Sequence, residues 1–172
     1  MNYILFDGSV RNSLLPFTFT RPVADIRIGI LSIREKWEKY LGYTTTTITE
    51  EYLEVKYPMV ELEENVLINA SYLPTKSLVE QVRNLSENQA IFKGEEVIAF
   101  FTSDTQEDVD FTLYKQIECS GDVLQLKNTW DIFSLNDKAI EADFNLLTED
   151  RTSQPIPEGV QVINKENIFI EE

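Results

Sequence analysis

Residues 2–42 read NYILFDGSVRNSLLPFTFTRPVADIRIGILSIREKWEKYLG, and they fall into three pieces with different patterns. NYILF (2–6) is a short apolar run suited to a buried strand, and it ends at Asp7-Gly8, a turn signal. Residues 7–28 hold two prolines, Pro16 and Pro22, and no sustained helical period. They read as a long ordered loop, a length that usually accompanies function. Ile30, Ile33, Trp37 and Leu41 then recur at helical spacing, Ser32 and Glu35 stand in capping-box relation, and Gly42 is placed as a C-terminal stop.

The same order of strand, loop and helix continues downstream. YTTTTI (43–48) is β-branched and reads as a strand, with Thr49 as the N-cap of a short acidic helix ending before Pro58. NVLIN (65–69) is another apolar strand, leading into a helix over about 75–85. This repetition predicts an α/β fold of Rossmann-like type: a mixed, mainly parallel sheet with helices on both faces. Ligands in such sheets sit beyond the carboxyl ends of the strands, so the 7–28 and 69–74 loops are expected on one rim.

AIFKGEEVIAFF (90–101) predicts two strands turning at Lys93-Gly94. Ser103 and Gln106 would box the start of a helix reaching Ile117, with Asp104, Glu107, Asp108 and Asp110 as its solvated acidic start. DVLQL (122–126) reads as a strand. A helical region over about 129–147 places Phe133, Ile140, Phe144 and Leu147 on one face, with an interruption at Asn136-Asp137. Trp37 and Trp130, both on apolar helical faces, are expected in the core. TSQPIPEGV after Arg151 is a linker, so the expected organisation is one domain over 1–150 followed by 151–172.

The chain has 172 residues, of which 42% are hydrophobic, enough for one sizeable core. Its single cysteine, Cys119, forms no intramolecular disulfide. The opening MNYILFDGSV has neither a basic leader nor a membrane-spanning apolar run, so a reduced, cytoplasmic setting is expected. With no histidine, zinc and haem sites of the usual kind are disfavoured, and Mg²⁺ on carboxylates is the leading metal.

The net charge of −15 argues against nucleic acid or an anionic membrane as partner. Its distribution is uneven: residues 1–40 carry six basic and four acidic side chains, and the other 132 carry a net −17. A basic island on an acidic body suits a small anion. Arg11, Arg21 and Arg27 lie outside the first helix and are its candidate ligands, whereas Arg34, Lys36 and Lys39 read as a solvated helix face.

Ile4-Leu5-Phe6-Asp7-Gly8, Arg11, Leu15-Pro16-Phe17-Thr18 and Arg21-Pro22 resemble the opening of sugar-1-phosphate nucleotidyltransferases, whose signature runs roughly LAAGxGTRLxPLTxxxPK. The run PFTFTRPVADIRIGILSIREKW is similar more closely to the N-terminal domain of a GlmU-like sugar nucleotidyltransferase family of Bacteroidetes type. In that family the domain precedes a left-handed β-helix of hexapeptide repeats with acyltransferase character. The resemblance implies a nucleotide-diphospho-sugar transferase-like domain over 1–150. It also implies that 151–172, with its terminal IFIEE, is a linker and the start of a truncated β-helix, through which homo-oligomers would form.

The function so implied is formation of NDP-sugar and pyrophosphate from a nucleoside triphosphate and a sugar 1-phosphate, with Mg²⁺ accompanying the nucleotide. In the family's loop, backbone N–H groups and basic side chains wrap phosphates and offset developing charge. Here Arg11 and Arg21 would hold phosphates, Gly8 would admit the nucleotide, and Arg27 would assist. Val23 occupies the position of the signature lysine, so Arg21 would supply that charge, as a planar fork in place of a point.

The family's magnesium-binding strand end, often NGD, corresponds to Asn69-Ala70-Ser71, which lacks the carboxylate. Asp7 or Asp25 would then be the metal ligand, or either would cap a turn. Asn69 has two readings, a hydrogen bond to sugar or nucleotide and a strand-end residue satisfying backbone. These departures define the alternative: a catalytically degenerate module that binds nucleotide-sugar or organises an attached hexapeptide acyltransferase domain.

Overall fold

Alternate side chains of the NYILF strand enter two different cores, which places it inside a sheet covered on both faces. The computed structural model of the chain describes residues 1–103 and 109–171. In chain order the elements are β1 (Asn2–Phe6), β2 (Arg27–Ile28), β3 (Leu31–Ser32), α1 (Ile33–Leu41), β4 (Thr46–Ile48), α2 (Glu51–Glu54), β5 (Asn65–Asn69), β6 (Tyr72–Leu73), α3 (Lys76–Arg83), β7 (Gln89–Lys93), β8 (Glu96–Thr102), β9 (Lys115–Glu118), β10 (Leu124–Gln125), α4 (Asp131–Ser134) and α5 (Asn136–Thr148). The central sheet has the order β4-β1-β5-β8-β7-β9. The β4/β1, β1/β5 and β7/β9 pairs are parallel, and β8 runs against both of its neighbours. The sheet is therefore mixed and mainly parallel, as read from the sequence.

Tyr3 and Leu5 of β1, Val66 and Ile68 of β5, Ile91 of β7, and Ala99 and Phe101 of β8 face a large core with Trp37, Leu41, Val79, Val82 and Ala139 from α1, α3 and α5. Ile4, Leu67, Ala90 and Phe100 face the other way. Among the described residues that second face is covered by the 3₁₀ helix Phe111–Leu113 and its neighbours Val109 and Tyr114. There Phe100 packs edge-on against Phe111 and Tyr114, with ring centroids 5.2 and 5.9 Å away. Among the described residues helix cover is thus unequal: full-length helices on one face and one short turn on the other.

The first helix forms as its residues predict. Ser32 and Glu35 make both bonds of the capping box, and Gly42 ends the helix at φ 75°. Two expectations change, and a third lies outside the described residues. The segment expected to be helical up to Ile117 contains β9 at Lys115–Glu118, paired in parallel with β7. Its expected box partner Gln106, with Asp104, Glu107 and Asp108, lies outside the described residues. The 129–147 region does break near Asn136, at Leu135, and Ile132 and Leu135 pack against the core, but four of its large apolar side chains face outward. Phe133 is 80% exposed, and Trp130, Ile140 and Phe144 are exposed as well.

The buried positions of α5 are Ala139 and Asp143. The reason is a contact with the β2–β3 turn. Gly29 lies so close that a Cβ on it would stand 2.8 Å from the Ala139 carbonyl carbon and 2.6 Å from Asp143 Oδ2. Asp143 accepts from the Ile30 and Leu31 amides at 2.8 and 3.1 Å, and from Lys36. Asn136 accepts from Gly29 N–H at 2.9 Å. A large residue on this face would hold the helix away.

Lys36 is consequently buried in an ion pair with Asp143. Arg34 is paired with Asp25 at 2.6 Å and also donates to Thr45 and Thr47. Of the three residues read as a solvated face, only Lys39 is exposed. No helix among the described residues is long and apolar enough to cross a membrane.

Two consequences are measurable. Asp143→Ala leaves Lys36 buried without its counter-charge and two backbone donors without an acceptor, and urea unfolding is expected to show a loss of about 3–5 kcal/mol. The Ser32 amide holds the Glu35 carboxyl below its ordinary value of 4.5. Its stabilisation is therefore present above pH 4.5 and lost as pH falls through the folded value. Glu35→Gln should make the fall of Tm below that pH shallower, and an unchanged slope would contradict the cap's contribution.

Candidate functional site

Three strands of the central sheet end together: β1 at Phe6, β4 at Ile48 and β5 at Asn69, with Phe6 in register with both Ile48 and Asn69. Asp7, Thr49 and Ala70 follow them, so the rim expected from the topology exists and carries the 7–28 loop. That loop is built from 3₁₀ turns at Ser9–Leu14, Phe17–Phe19 and Val23–Asp25. Its Leu15–Pro16 peptide is cis.

Asp7 ties the loop to the sheet. Oδ1 accepts from Val23 N–H at 2.7 Å, while Oδ2 accepts from Thr49 Oγ1 at 2.7 Å and from Arg11. The side chain is only 4% exposed. Burial pushes its carboxyl up, against the opposing pull of Thr49, Val23 and Arg11.

Arg11 is 7% exposed and fully engaged. Its guanidinium donates to Asp7, to Thr49 Oγ1 at 3.2 Å, to the Thr18 carbonyl at 2.6 Å and to Tyr52 Oη at 3.1 Å. Nε lies 3.3 Å from Glu50. Thr18 returns a bond from Oγ1 to the Arg11 carbonyl at 3.0 Å. Arg11 therefore organises the loop from within. Thr49, expected as a helix cap, belongs to this network instead, and the residue at the start of α2 is Glu50, whose side chain makes no cap bond.

The other candidates are placed differently. Arg27, on β2, is 62% exposed, donates to the Ile30 carbonyl and lies 3.7 Å from Glu35. Asp25 is held by Arg34. Arg21 is exposed and makes no hydrogen bond or ion pair with any described residue. It stands two residues before the Val23 amide that Asp7 holds, so its backbone is anchored close to the end of β1. The three arginines outside the helix do not share partners, and only Arg21 has an uncommitted charge.

Gly8 and Asn69 are brought into contact. A Cβ on Gly8 would lie 2.8 Å from Asn69 Nδ2 and 2.9 Å from Oδ1, so only glycine permits this packing. Asn69 is 2% exposed; its oxygen accepts from Ser71 N–H at 3.0 Å and Ser71 Oγ at 2.8 Å, and its nitrogen donates to the Val97 carbonyl at 3.3 Å. Gln125 Nε2 donates to Ser71 Oγ at 3.2 Å and to Glu96 at 2.7 Å, and Glu96 also accepts from Tyr72 Oη at 3.1 Å. Burial, and then the neighbouring Glu96 charge, push the Tyr72 hydroxyl up.

A cavity of about 390 Å³ opens at this rim, lined in part by Gly8, Arg11, Thr49, Glu50, Glu51 and Glu54. Its charged lining is Asp7, Glu50, Glu51 and Glu54 beside Arg11. The residues do not fit a protein-held Mg²⁺. Both oxygens of Asp7 accept from protein donors, Asp25 is ion-paired, Ser71 is buried, and among the described residues no group of three or more carboxylates or cysteines is arranged to hold a metal.

Of the candidates named from the sequence, Asp7, Gly8, Arg11 and Asn69 lie at the rim, Arg27 and Asp25 are engaged elsewhere, and the hydrogen-bond roles of Thr18, Thr49, Tyr52, Ser71 and Gln125 were not foreseen. Their side chains meet only through strand register and loop return. A faint signal existed in Thr49, which directly follows the strand paired with β1.

Among curated proteins, none matches the sequence. A family model described as sugar nucleotidyl transferase matches residues 3–152, from β1 past the end of α5, and so includes the whole rim. That coverage shows the chain to be a member of the sugar nucleotidyl transferase family.

Proposed function

We propose that the domain joins a nucleoside triphosphate to a sugar 1-phosphate, releasing pyrophosphate and forming an NDP-sugar, with the phosphates seated at the rim beyond β1 and β5. The observation that carries this reading, beside family membership, is Arg21: a cation with no partner among the described residues, on a loop that Asp7 and Arg11 fasten to the end of β1. A phosphate oxygen of the sugar phosphate attacks the α-phosphorus in line, the bond to the β-phosphate oxygen breaks, and pyrophosphate leaves. Such a reaction needs positioning and charge stabilisation, with no covalent enzyme intermediate.

Arg21 offers a forked donor set to phosphate oxygens. Gly8 lets the ligand approach the backbone, and Asn69 borders the same place. Arg11 acts through the loop, because its donors are already occupied. Mg²⁺ would enter on the triphosphate's own oxygens, as it often does with few protein ligands. Arg27 and Asp25 have structural partners and no assigned contact with ligand.

A second reading is favoured by one observation. Ser71, which the resemblance sets at the position of the family's metal-binding carboxylate, is fully buried and bonded to Asn69. On that reading the domain binds a sugar nucleotide without turnover, and a following hexapeptide domain supplies the chemistry. Calorimetric titration with the four ribonucleoside triphosphates and Mg²⁺, paired with a pyrophosphate-release assay on a panel of sugar 1-phosphates, separates the two. Release is expected; binding without release would establish the second reading, and no binding would sink both.

Arg21→Ala is expected to weaken triphosphate affinity by roughly tenfold or more, the cost of losing a charge-assisted contact, without altering Tm. Equal affinity would remove the role assigned here. Arg11→Ala should instead lower Tm, because it leaves buried Asp7 without its counter-charge.

A further inference from the structure

We infer that the outer face of α4 and α5 is a docking surface for a basic amphipathic helix of another protein. None of the residues that carry it lines the cavity at the rim, and it does not depend on the reading proposed there.

Large apolar side chains stand in water on this face. Trp130, at the start of α4, is 64% exposed, Phe133 is more exposed still, and Ile140 and Phe144, one turn apart on α5, are exposed as well. The inward positions are taken by other residues: Ile132 and Leu135 pack against the core, and Ala139 and Asp143 are the buried side of α5. The four outward residues belong to neither core cluster. Single exposed apolar residues are ordinary, but four of them gathered between residues 130 and 144, two aromatic, mark an interaction surface. Tryptophan and phenylalanine are also the residues that anchor such surfaces.

The face is fixed before any partner arrives. Asn136 Oδ1 accepts from Gly29 N–H at 2.9 Å, and Asp143 accepts from the Ile30 and Leu31 amides and from Lys36. Rotating α5 to hide Ile140 and Phe144 would break these bonds and drive a larger side chain against Gly29, where no room exists. A preformed apolar face loses less conformational freedom on binding.

The charges beside the apolar residues select the partner. Asp137 lies three residues before Ile140 and Glu141 three before Phe144, so both carboxylates border the stripe. Both are exposed, and neither has an ion pair with a described residue. The one basic residue of α4 and α5 is Lys138, which at two residues from Ile140 points to another face. A second copy of this chain would bring a net charge of −15 to the same place, and an anionic membrane would be repelled in the same way. A helix with apolar side chains at helical spacing and lysines or arginines beside them covers the stripe and answers both carboxylates. Since α5 spans 13 residues, the partner helix needs roughly four turns to lie along it.

The two tryptophans make the test specific, because Trp37 is fully buried and Trp130 is not. Trp130 emission and its quenching by acrylamide are followed while the wild type is titrated with a synthetic helix of about 18 residues, leucines on one face and lysines beside them. One control peptide has the same residues scrambled, and a second has glutamate for lysine. The lysine peptide should shift Trp130 emission to the blue, protect it from acrylamide, and bind roughly tenfold or more tighter than either control, with affinity falling as salt rises. No change in Trp130 emission up to about 1 mM peptide overturns the inference. Equal binding of the scrambled peptide also overturns it, because charge attraction alone would then suffice.

A variant pair locates the contact. Phe133→Ser with Phe144→Ser should weaken the lysine peptide by roughly tenfold or more and leave Tm unchanged, since neither side chain is in the core. Unchanged affinity puts the peptide elsewhere and overturns the assignment. Asp137→Asn with Glu141→Gln should weaken it several-fold and flatten its salt dependence. Sedimentation of the wild type alone reads the competing occupant: a dimer in which Trp130 is already shielded from acrylamide replaces the basic partner with a second copy and overturns the inference.

Discussion

The carboxylate of Asp7 is the constraint on which the rest of the rim depends. It lies at the end of β1, almost without solvent, and is satisfied by Val23 N–H and Arg11 from the 7–28 loop and by Thr49 Oγ1 after β4, while Arg11 also holds the Thr18 carbonyl. A buried carboxylate is tolerable only when it is paired and hydrogen-bonded. Satisfying this one folds the loop back to the sheet twice, at Thr18 and at Val23. The loop is therefore ordered by electrostatics as much as by its prolines, and Arg21 is carried on a segment fixed at both ends of its short arc.

The same logic accounts for the other charges near the amino terminus. The arginines there are not a shared pool of positive charge. Arg11 answers Asp7, Arg34 answers Asp25, Arg27 approaches Glu35, and Lys36 answers Asp143. Among the described residues of this stretch Arg21 is the guanidinium left without an ion-pair partner, which is why the proposed reading rests on it. The fold's second buried pair, Lys36 with Asp143, works at a distance from the rim: it seats α5 on the β2–β3 turn and so fixes the segment that leads into α1.

Much of this was legible before any coordinates. The sheet class, β1, the capped helix α1, the β7–β8 hairpin and the rim follow from period-two and helical patterns in short windows. The errors have a common cause. Lys36, Phe133 and Trp130 were assigned by residue type and helical spacing, yet each was decided by what lies opposite. Gly29 leaves room for Ala139 and Asp143 and for nothing larger, so polar residues are buried there and aromatic ones are left outside. The strand β9 was read as helix because its partner, β7, lies more than twenty residues away in the chain.

By itself the sequence determined the α/β class, the loop that had to matter, the resemblance to sugar nucleotidyltransferases and the residues from which a site would be drawn. Those are local properties: period, caps, prolines, composition and motif. Only the tertiary structure decided which charges are already matched. Ion pairing is a relation between residues that strand register and loop return bring together, so Arg11 and Arg21, alike as letters, become a buried organiser and a free cation. The orientation of the Asn69 amide was likewise set by the carbonyl of Val97, on a strand that no local pattern could place beside it.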